Sequence, residues 1–199
     1  LRNRLFIASK SMLRYAAIRD KSPRVGNSDG DGKTCIDDLK RTLTQMFGDG
    51  RGYIPDGAYL DLMQVHSLTH EWEVDAIFQG FANPDDRSLP KIGAVAGLID
   101  FRDGTNHTGL NPEHKKWIRH LGITGHENPT VHMAAMRRDT SNEFETLLVA
   151  VNPNDRHYFC HQTNSLPVAR AKGMGLIGMK VFADGVMYGL ERKYAGSPG

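Results

Sequence analysis

The chain is poor in several things, and each shortage excludes something. It has two cysteines, Cys35 and Cys160, in 199 residues. They lie far apart in helix-like segments, which argues against a disulfide framework and for a reducing, cytoplasmic setting. No apolar run approaches the ~20 residues that a membrane-spanning helix needs. Neither sign of charge dominates, with 25 Lys and Arg against 23 Asp and Glu and a formal net charge of +2. The basic residues are scattered, so there is no nucleic-acid stripe and no acidic tail. No stretch repeats, and none is of low complexity.

What is present is ordinary globular material, 39% hydrophobic and 24% charged. That is enough for one sizeable core, and residues 1–199 read as a single domain. Leu1-Arg2-Asn3-Arg4 leads straight into a strand, without a signal-type leader. Tyr194 to Gly199 reads as a loop cut in mid-course. The expectation is an internal piece of a longer protein.

Residues 4–9 read as a buried strand and 20–32 as a polar loop. Thr34-Cys35-Ile36-Asp37 is a capping-box variant that opens a helix. In that helix Ile36, Leu39, Leu43, Met46 and Phe47 recur at helical spacing, and Gly48 is a natural stop. Gly48–Gly57 is a loop, and 59–66 the next strand. Helices are expected over 71–81, 90–101, 128–138 (Pro129 in the first turn) and most of 156–172, with Pro167 arguing for a break in the last. Strands are expected at the end of 117–124, over 146–151 and over 174–182. Alternating strands and helices, with continuously apolar strands, argue for parallel βα units. The expected fold class is therefore α/β, a (β/α)8 TIM barrel present as a partial barrel of about five units. The competing open doubly wound sheet lacks its G-x-G-x-x-G fingerprint after the first strand.

Several motifs fall short of a site. Asn27-Ser28-Asp29-Gly30-Asp31-Gly32, with Asp38 at the twelfth position, resembles a calcium loop. Pro23 and Gly26 block the helix that should enter it, so a solvated turn before the next helix is the plainer reading. Gly32-Lys33-Thr34 resembles the end of a phosphate loop, but Asn27 stands where its first glycine belongs. His66 with His70, and His157 with His161, are spaced four apart, without the neighbouring Glu of the zinc-protease motif. A metal-dependent barrel hydrolase using His66 and His126 is one alternative function; most of the other histidines read as surface residues.

The informative residues are Lys10 and His66, each ending a short apolar segment. In a parallel barrel the C-terminal strand ends line the active-site mouth. A Lys and a His there can polarise a carbonyl or move a proton. The flanking phrases resemble the aldo-keto reductase family. Leu5-Phe6-Ile7-Ala8-Ser9-Lys10 is similar to that family's third barrel strand, and Tyr59-Leu60-Asp61-Leu62-Met63-Gln64-Val65-His66 to its fourth. Ile118-Arg119-His120-Leu121-Gly122-Ile123-Thr124-Gly125-His126 is similar to the fifth, and Gly173-Met174-Gly175-Leu176-Ile177-Gly178-Met179-Lys180-Val181 to the seventh.

The resemblance implies hydride transfer between a nicotinamide and an aldehyde or ketone. It implies NADP(H), with NAD(H) as the alternative, and a small-molecule carbonyl partner, with neither nucleic acid nor membrane. Lys10 and His66 would be catalytic, the Lys lowering the pKa of a proton-donating Tyr and the His orienting the substrate. Thr124, Gly125, Met179, Lys180 and Val181 would contact the cofactor, and no metal is implied. The chain also departs from the pattern. The family's catalytic Asp and Tyr would lie upstream of Leu1, so the chain as given is expected to be inactive. Gly125 replaces an amide, Leu148 the nicotinamide-binding Gln, and Met179 the stacking Tyr. A non-catalytic barrel protein that kept the scaffold is the remaining alternative. If the barrel reading is right, Lys10 and His66 share one sheet face at the C-terminal strand ends, and Thr124 and Lys180 share that rim.

Overall fold

The computed structural model describes residues 4–20, 33–155 and 157–185. In chain order they form β1 (Ala8–Ser11), β2 (Tyr15–Ile18), α1 (Cys35–Phe47), β3 (Leu60–Val65), α2 (Glu71–Ile77), β4 (Lys91–Gly93) and α3 (Ala94–Asp103). Then come β5 (Ile118–Gly125), α4 (Pro129–Arg138), β6 (Thr146–Ala150), α5 (Ser165–Ala171) and β7 (Gly175–Met179). Strands β1, β3, β5, β6 and β7 make one parallel sheet in that spatial order. Among the described strands the order never reverses, so they show no switch point of the doubly wound kind. Helices connect neighbouring strands throughout, as parallel pairing requires.

The two faces differ because side chains alternate along a strand. Met63, Val65, Leu121, Ile123, Leu147 and Val149 form the core on one face. Ser9 and Ser11 share it, bonding through their hydroxyls to Thr42 at 3.3 Å and to the Asp38 carboxylate at 2.6 Å, both on α1. Lys10, Gln64, Gly122 and Thr146 sit at one level of the other face by register. Gln64 Nε2 donates to Thr146 Oγ1 at 3.2 Å across Gly122. A β-carbon at Gly122 would lie 2.0 Å from Thr146 Oγ1, so only glycine lets that bond cross the middle strand.

Helix α1 starts where the capping box predicts. Thr34 Oγ1 accepts from the Asp37 N–H, and Asp37 reaches back to the Thr34 N–H. Ile36, Leu39 and Leu43 are buried as expected, whereas Met46 is 51% exposed. The contacts at Asp38–Ser11 and Thr42–Ser9 show why. They run α1 antiparallel to β1, so Met46, one turn beyond Thr42, falls level with the residues before β1 begins.

Other expectations are corrected. The buried strand read over 4–9 is the exposed β1, and Leu5 and Phe6 before it are 51% and 66% exposed. Among the described residues β1 pairs only with β3, so one edge and much of its surface stay open. β7 is open in the same way. The helix read over 90–101 begins at Ala94, because Lys91–Gly93 pair antiparallel with Tyr15–Ile18. The helix read over 71–81 ends at Ile77. The segment before Ser165, Cys160 included, is turn rather than helix. Pro167 sits in the first turn of α5, where its missing N–H costs no helical bond. The calcium-like and phosphate-loop-like stretch over 21–32 lies outside the described residues. Its twelfth position, Asp38, is taken by Ser11 and by Arg41 at 2.7 Å. No helix among the described residues is long and apolar enough to cross a membrane.

The stripe on α1 can be checked by urea denaturation. Leu39→Ala, at a fully buried site, should cost ~2–5 kcal/mol, cavity included. Met46→Ala should stay within ~0.5 kcal/mol, the range of surface changes. A large cost at Met46 would mean that α1 is rotated from this packing.

Candidate active site

The register brings Lys10 and His66 together as expected. Lys10 lies opposite Gln64, His66 follows β3 immediately, and the His66 N–H donates to the Ser11 carbonyl at 2.8 Å. By register both side chains therefore share the face opposite Ser9 and Ser11, which bond to α1, near the C-terminal end of the sheet. Lys10 is exposed and His66 half-buried. Burial, then the charges of Lys10, His126 and Arg14, push the His66 pKa below its usual value. His66 is thus a neutral imidazole near pH 7, able to donate or accept one proton. Its ring lies 6.5 Å from that of His126, edge to face. His126 in turn borders a polar cleft of about 530 Å³ with Thr69, His70, Asn128, Asp155 and His157.

What holds His66 in place is a residue that the sequence does not flag. Arg14, between β1 and β2, is only 2% exposed. Its Nε and Nη2 donate to Glu73 Oε1 at 3.0 and 2.6 Å. Its Nη1 donates to the His66 carbonyl at 2.6 Å, and Nη2 to the Ser67 carbonyl at 2.9 Å. The other Glu73 oxygen accepts the N–H groups of Thr69 and His70 at 2.6 and 2.9 Å, closing the first turn of α2. Burial raises the Glu73 pKa, but these two N–H bonds and Arg14 outweigh it and hold the carboxylate ionised. Arg14 and Glu73 stand far apart in sequence. The only local hint is Glu73 three residues after the helix-capping His70, the spacing of a capping box.

The expected cofactor residues also lie at this end, in different states. Thr124 is fully buried, and its hydroxyl accepts the Ser67 N–H at 2.9 Å. Gly125 is covered, since a β-carbon there would meet the His132 ring at 2.1 Å. Met179 is half-buried, while Lys180 and Val181 are exposed. Lys180 adopts φ 53°, which turns the chain out of β7.

Most of the remaining histidines do lie at the surface, but two are core residues. His132 and His161 are 0% and 1% exposed, with rings 5.2 Å apart. His161 Nε2 meets the His126 carbonyl at 3.3 Å and Nδ1 meets Ser165 Oγ at 2.7 Å. The carbonyl can only accept, so Nε2 carries the proton and Nδ1 accepts from Ser165. Burial first, and His132 next, push the His161 pKa down to about 4. Burial likewise lowers the His132 pKa, against the pull of the Asn128 and Thr124 carbonyls. The pair supports the β5–α4 turn from behind. His157, four residues before His161, is exposed beside Asp155. Among the described residues no three His, Cys, Asp or Glu converge to hold a metal ion. Cys35 and Cys160 are buried free thiols.

No family model and no curated protein matches this chain. The site is read from its own chemistry.

Two outcomes follow. Arg14→Met should destabilise by ~3–5 kcal/mol in urea denaturation, because it leaves Glu73 buried and unpaired. A loss under ~1 kcal/mol would place the pair at the surface. The histidines set a pH dependence. His161 titrates near 4 when folded and near 6.5 when unfolded. Between these values the unfolded chain binds the extra proton, so this stability is complete above pH 6.5 and is lost as pH falls toward 4. The slope per proton is at most ~1.4 kcal/mol per pH unit. His161→Gln should flatten the stability profile over that window. A profile with the same slope as wild type would contradict the buried neutral histidine.

Proposed function

We propose that the strand-end site belongs to an NAD(P)H-dependent carbonyl reductase of the aldo-keto reductase type. We also propose that the parallel sheet is part of a (β/α)8 barrel wall. One observation carries the reading: an ammonium and a neutral imidazole lie on adjacent parallel strands near their C-terminal ends, on the sheet face opposite the one that bonds α1. The unreversed strand order and the open edges of β1 and β7 fit a wall that continues on both sides.

The residues present suit a nicotinamide coenzyme. Leu148 and Ile177 follow His66 and Thr124 across the same face by register, and Met179 lies one level above. All three keep accessible surface. They form an apolar ledge for a planar ring, with Lys180 beyond it for a phosphate. When bound, the coenzyme would supply the hydride. Thr124 and Gly125 act through the backbone, because the Thr124 hydroxyl is engaged and Gly125 is closed off by His132. The neutral His66 donates an N–H to the carbonyl oxygen and orients it. Lys10 stabilises the negative charge that grows on that oxygen, and favours ionisation of a neighbouring proton donor. The resemblance assigns that donor to a tyrosine outside the matched phrases. The metal-dependent hydrolase is not carried forward, as the described residues offer no third ligand beside His66 and His126.

The test uses the protein as its gene encodes it. In single-turnover hydride transfer at saturating NADPH, Lys10→Met should slow the step by ~10²–10⁴-fold. The Kd for NADPH should change much less, because the loss lies in the chemical step. His66→Ala should slow it to an extent that varies with the carbonyl. A wild-type rate in Lys10→Met would make Lys10 a plain surface lysine. No NADPH binding by the wild type would favour the scaffold that lost its chemistry.

A further inference from the structure

At the opposite end of the sheet the loops before β3 and β5 enclose the second feature of interest, a cleft of about 600 Å³. It is lined by five cations, Lys40, Arg41, Arg51, Lys115 and Lys116, against the carboxylates of Asp56 and Glu113. Two of the cations are engaged. Arg41 pairs with Asp38 at 2.7 Å and Lys115 with Glu113 at 3.3 Å. Among the described residues Lys40, Arg51 and Lys116 have no carboxylate within ion-pair distance. An excess of one sign of charge around a cleft draws in the opposite charge.

The cleft is built, not merely charged. The Asp49 carboxylate accepts the N–H groups of Arg51 and Tyr53 at 2.8 and 3.1 Å and the Thr44 hydroxyl at 3.1 Å. Thr44 Oγ1 in turn accepts the Gly52 N–H at 3.1 Å. This knot ties the Arg51 loop to α1, so the backbone that carries the guanidinium is fixed before any ligand arrives. Preorganisation of this kind lowers the ordering cost of binding. One wall is apolar, formed by Ile54, Pro55 and the half-buried Trp117. The Trp117 indole is itself fixed, stacked on Phe101 with centroids 5.1 Å apart and planes 14° off parallel.

We propose that this cleft binds a small aromatic phosphate ester, its phosphate among Lys40, Arg51 and Lys116 and its ring against the Trp117 wall. A bare anion would use the cations alone and leave the indole wall wet. A neutral arene would leave the excess of cations over the Asp56 carboxylate unmet. The volume lies within the range of small-ligand pockets, ~300–1,000 Å³. Guanidinium and ammonium groups complement a phosphate dianion, and a fixed indole offers a flat apolar face. The cleft lies at the N-terminal strand ends, away from Lys10 and His66, so binding here would be separate from carbonyl chemistry.

Phenyl phosphate is the probe, with phenol, inorganic phosphate and a hexaglutamate peptide as comparisons. Binding is followed by calorimetry and by Trp117 emission in a Trp72→Phe background. Phenyl phosphate should bind saturably, quench Trp117, and bind at least about tenfold more tightly than any of the three comparisons. Lys40→Glu, Arg51→Glu and Lys116→Glu should each weaken it several-fold, and the double change at Arg51 and Lys116 should abolish it. Arg170→Glu, an exposed cation on α5, should leave it unchanged. These surface changes lie outside the core, and an unchanged urea midpoint will confirm folding. The proposal is overturned if inorganic phosphate or hexaglutamate binds as well as phenyl phosphate. Binding that is indifferent to the three charge reversals also overturns it, as does saturation without a change in Trp117 emission.

Discussion

The turn that carries His66 leans on the buried guanidinium of Arg14. It is one side chain with five N–H donors in a fixed plane. Four of its contacts join the β1–β2 link, the end of β3 and the start of α2. The backbone of the same residue adds a fourth element, since the Arg14 carbonyl accepts the Ala94 N–H at the start of α3 at 2.9 Å. A buried charge is costly unless it is paired and its remaining hydrogen-bonding groups are satisfied. Glu73 and the carbonyls of His66 and Ser67 meet both conditions. The turn after β3 is therefore held from beneath by a planar clamp and not by loop packing alone. Ser67, at φ 54°, is kept in the left-handed region by that clamp and by Thr124.

The clamp has an electrostatic consequence for His66. Lys10 and Arg14 are both cations near its ring, and burial adds to their effect. The protonated imidazole is disfavoured by all three, so the site keeps a neutral histidine beside a charged lysine. Those are the two forms that the proposed carbonyl chemistry calls for. The buried His132–His161 pair works in the same direction from the far side. It fills the space under Gly125 and His126 with rings that are themselves held neutral. Stability and site chemistry therefore depend on the same condition, uncharged imidazoles.

Much of the fold was legible locally. Thr34, Asp37 and the Ile36–Leu39–Leu43 stripe specify α1 through near neighbours, and β3, β5, β6 and β7 follow from apolar runs between helices. The failures are non-local. Three residues of β4 carry too little pattern to compete with the helix that follows them; their partner Tyr15–Ile18 decides the matter. Met46 obeys helical periodicity, yet the helix outruns its strand. Leu5 and Phe6 are apolar, yet they stay 51% and 66% exposed because they precede the sheet instead of joining it. In the site, Lys10 and His66 were visible because each closes a phrase. Arg14 and Glu73 were not, since their meaning comes only from facing each other. Nothing set His132 and His161 apart from the surface histidines, because a histidine carries no sign in the sequence of being buried.

The central claim is that His66 is held neutral next to Lys10, and its own titration tests that most directly. The His66 imidazole can be followed by NMR in wild type and in Lys10→Met. The account predicts a wild-type pKa below the ordinary 6.5. It also predicts a rise on removal of the ammonium, short of full recovery because burial, His126 and Arg14 remain. A wild-type His66 titrating at its ordinary value, unmoved by Lys10→Met, would contradict the arrangement on which the site reading rests.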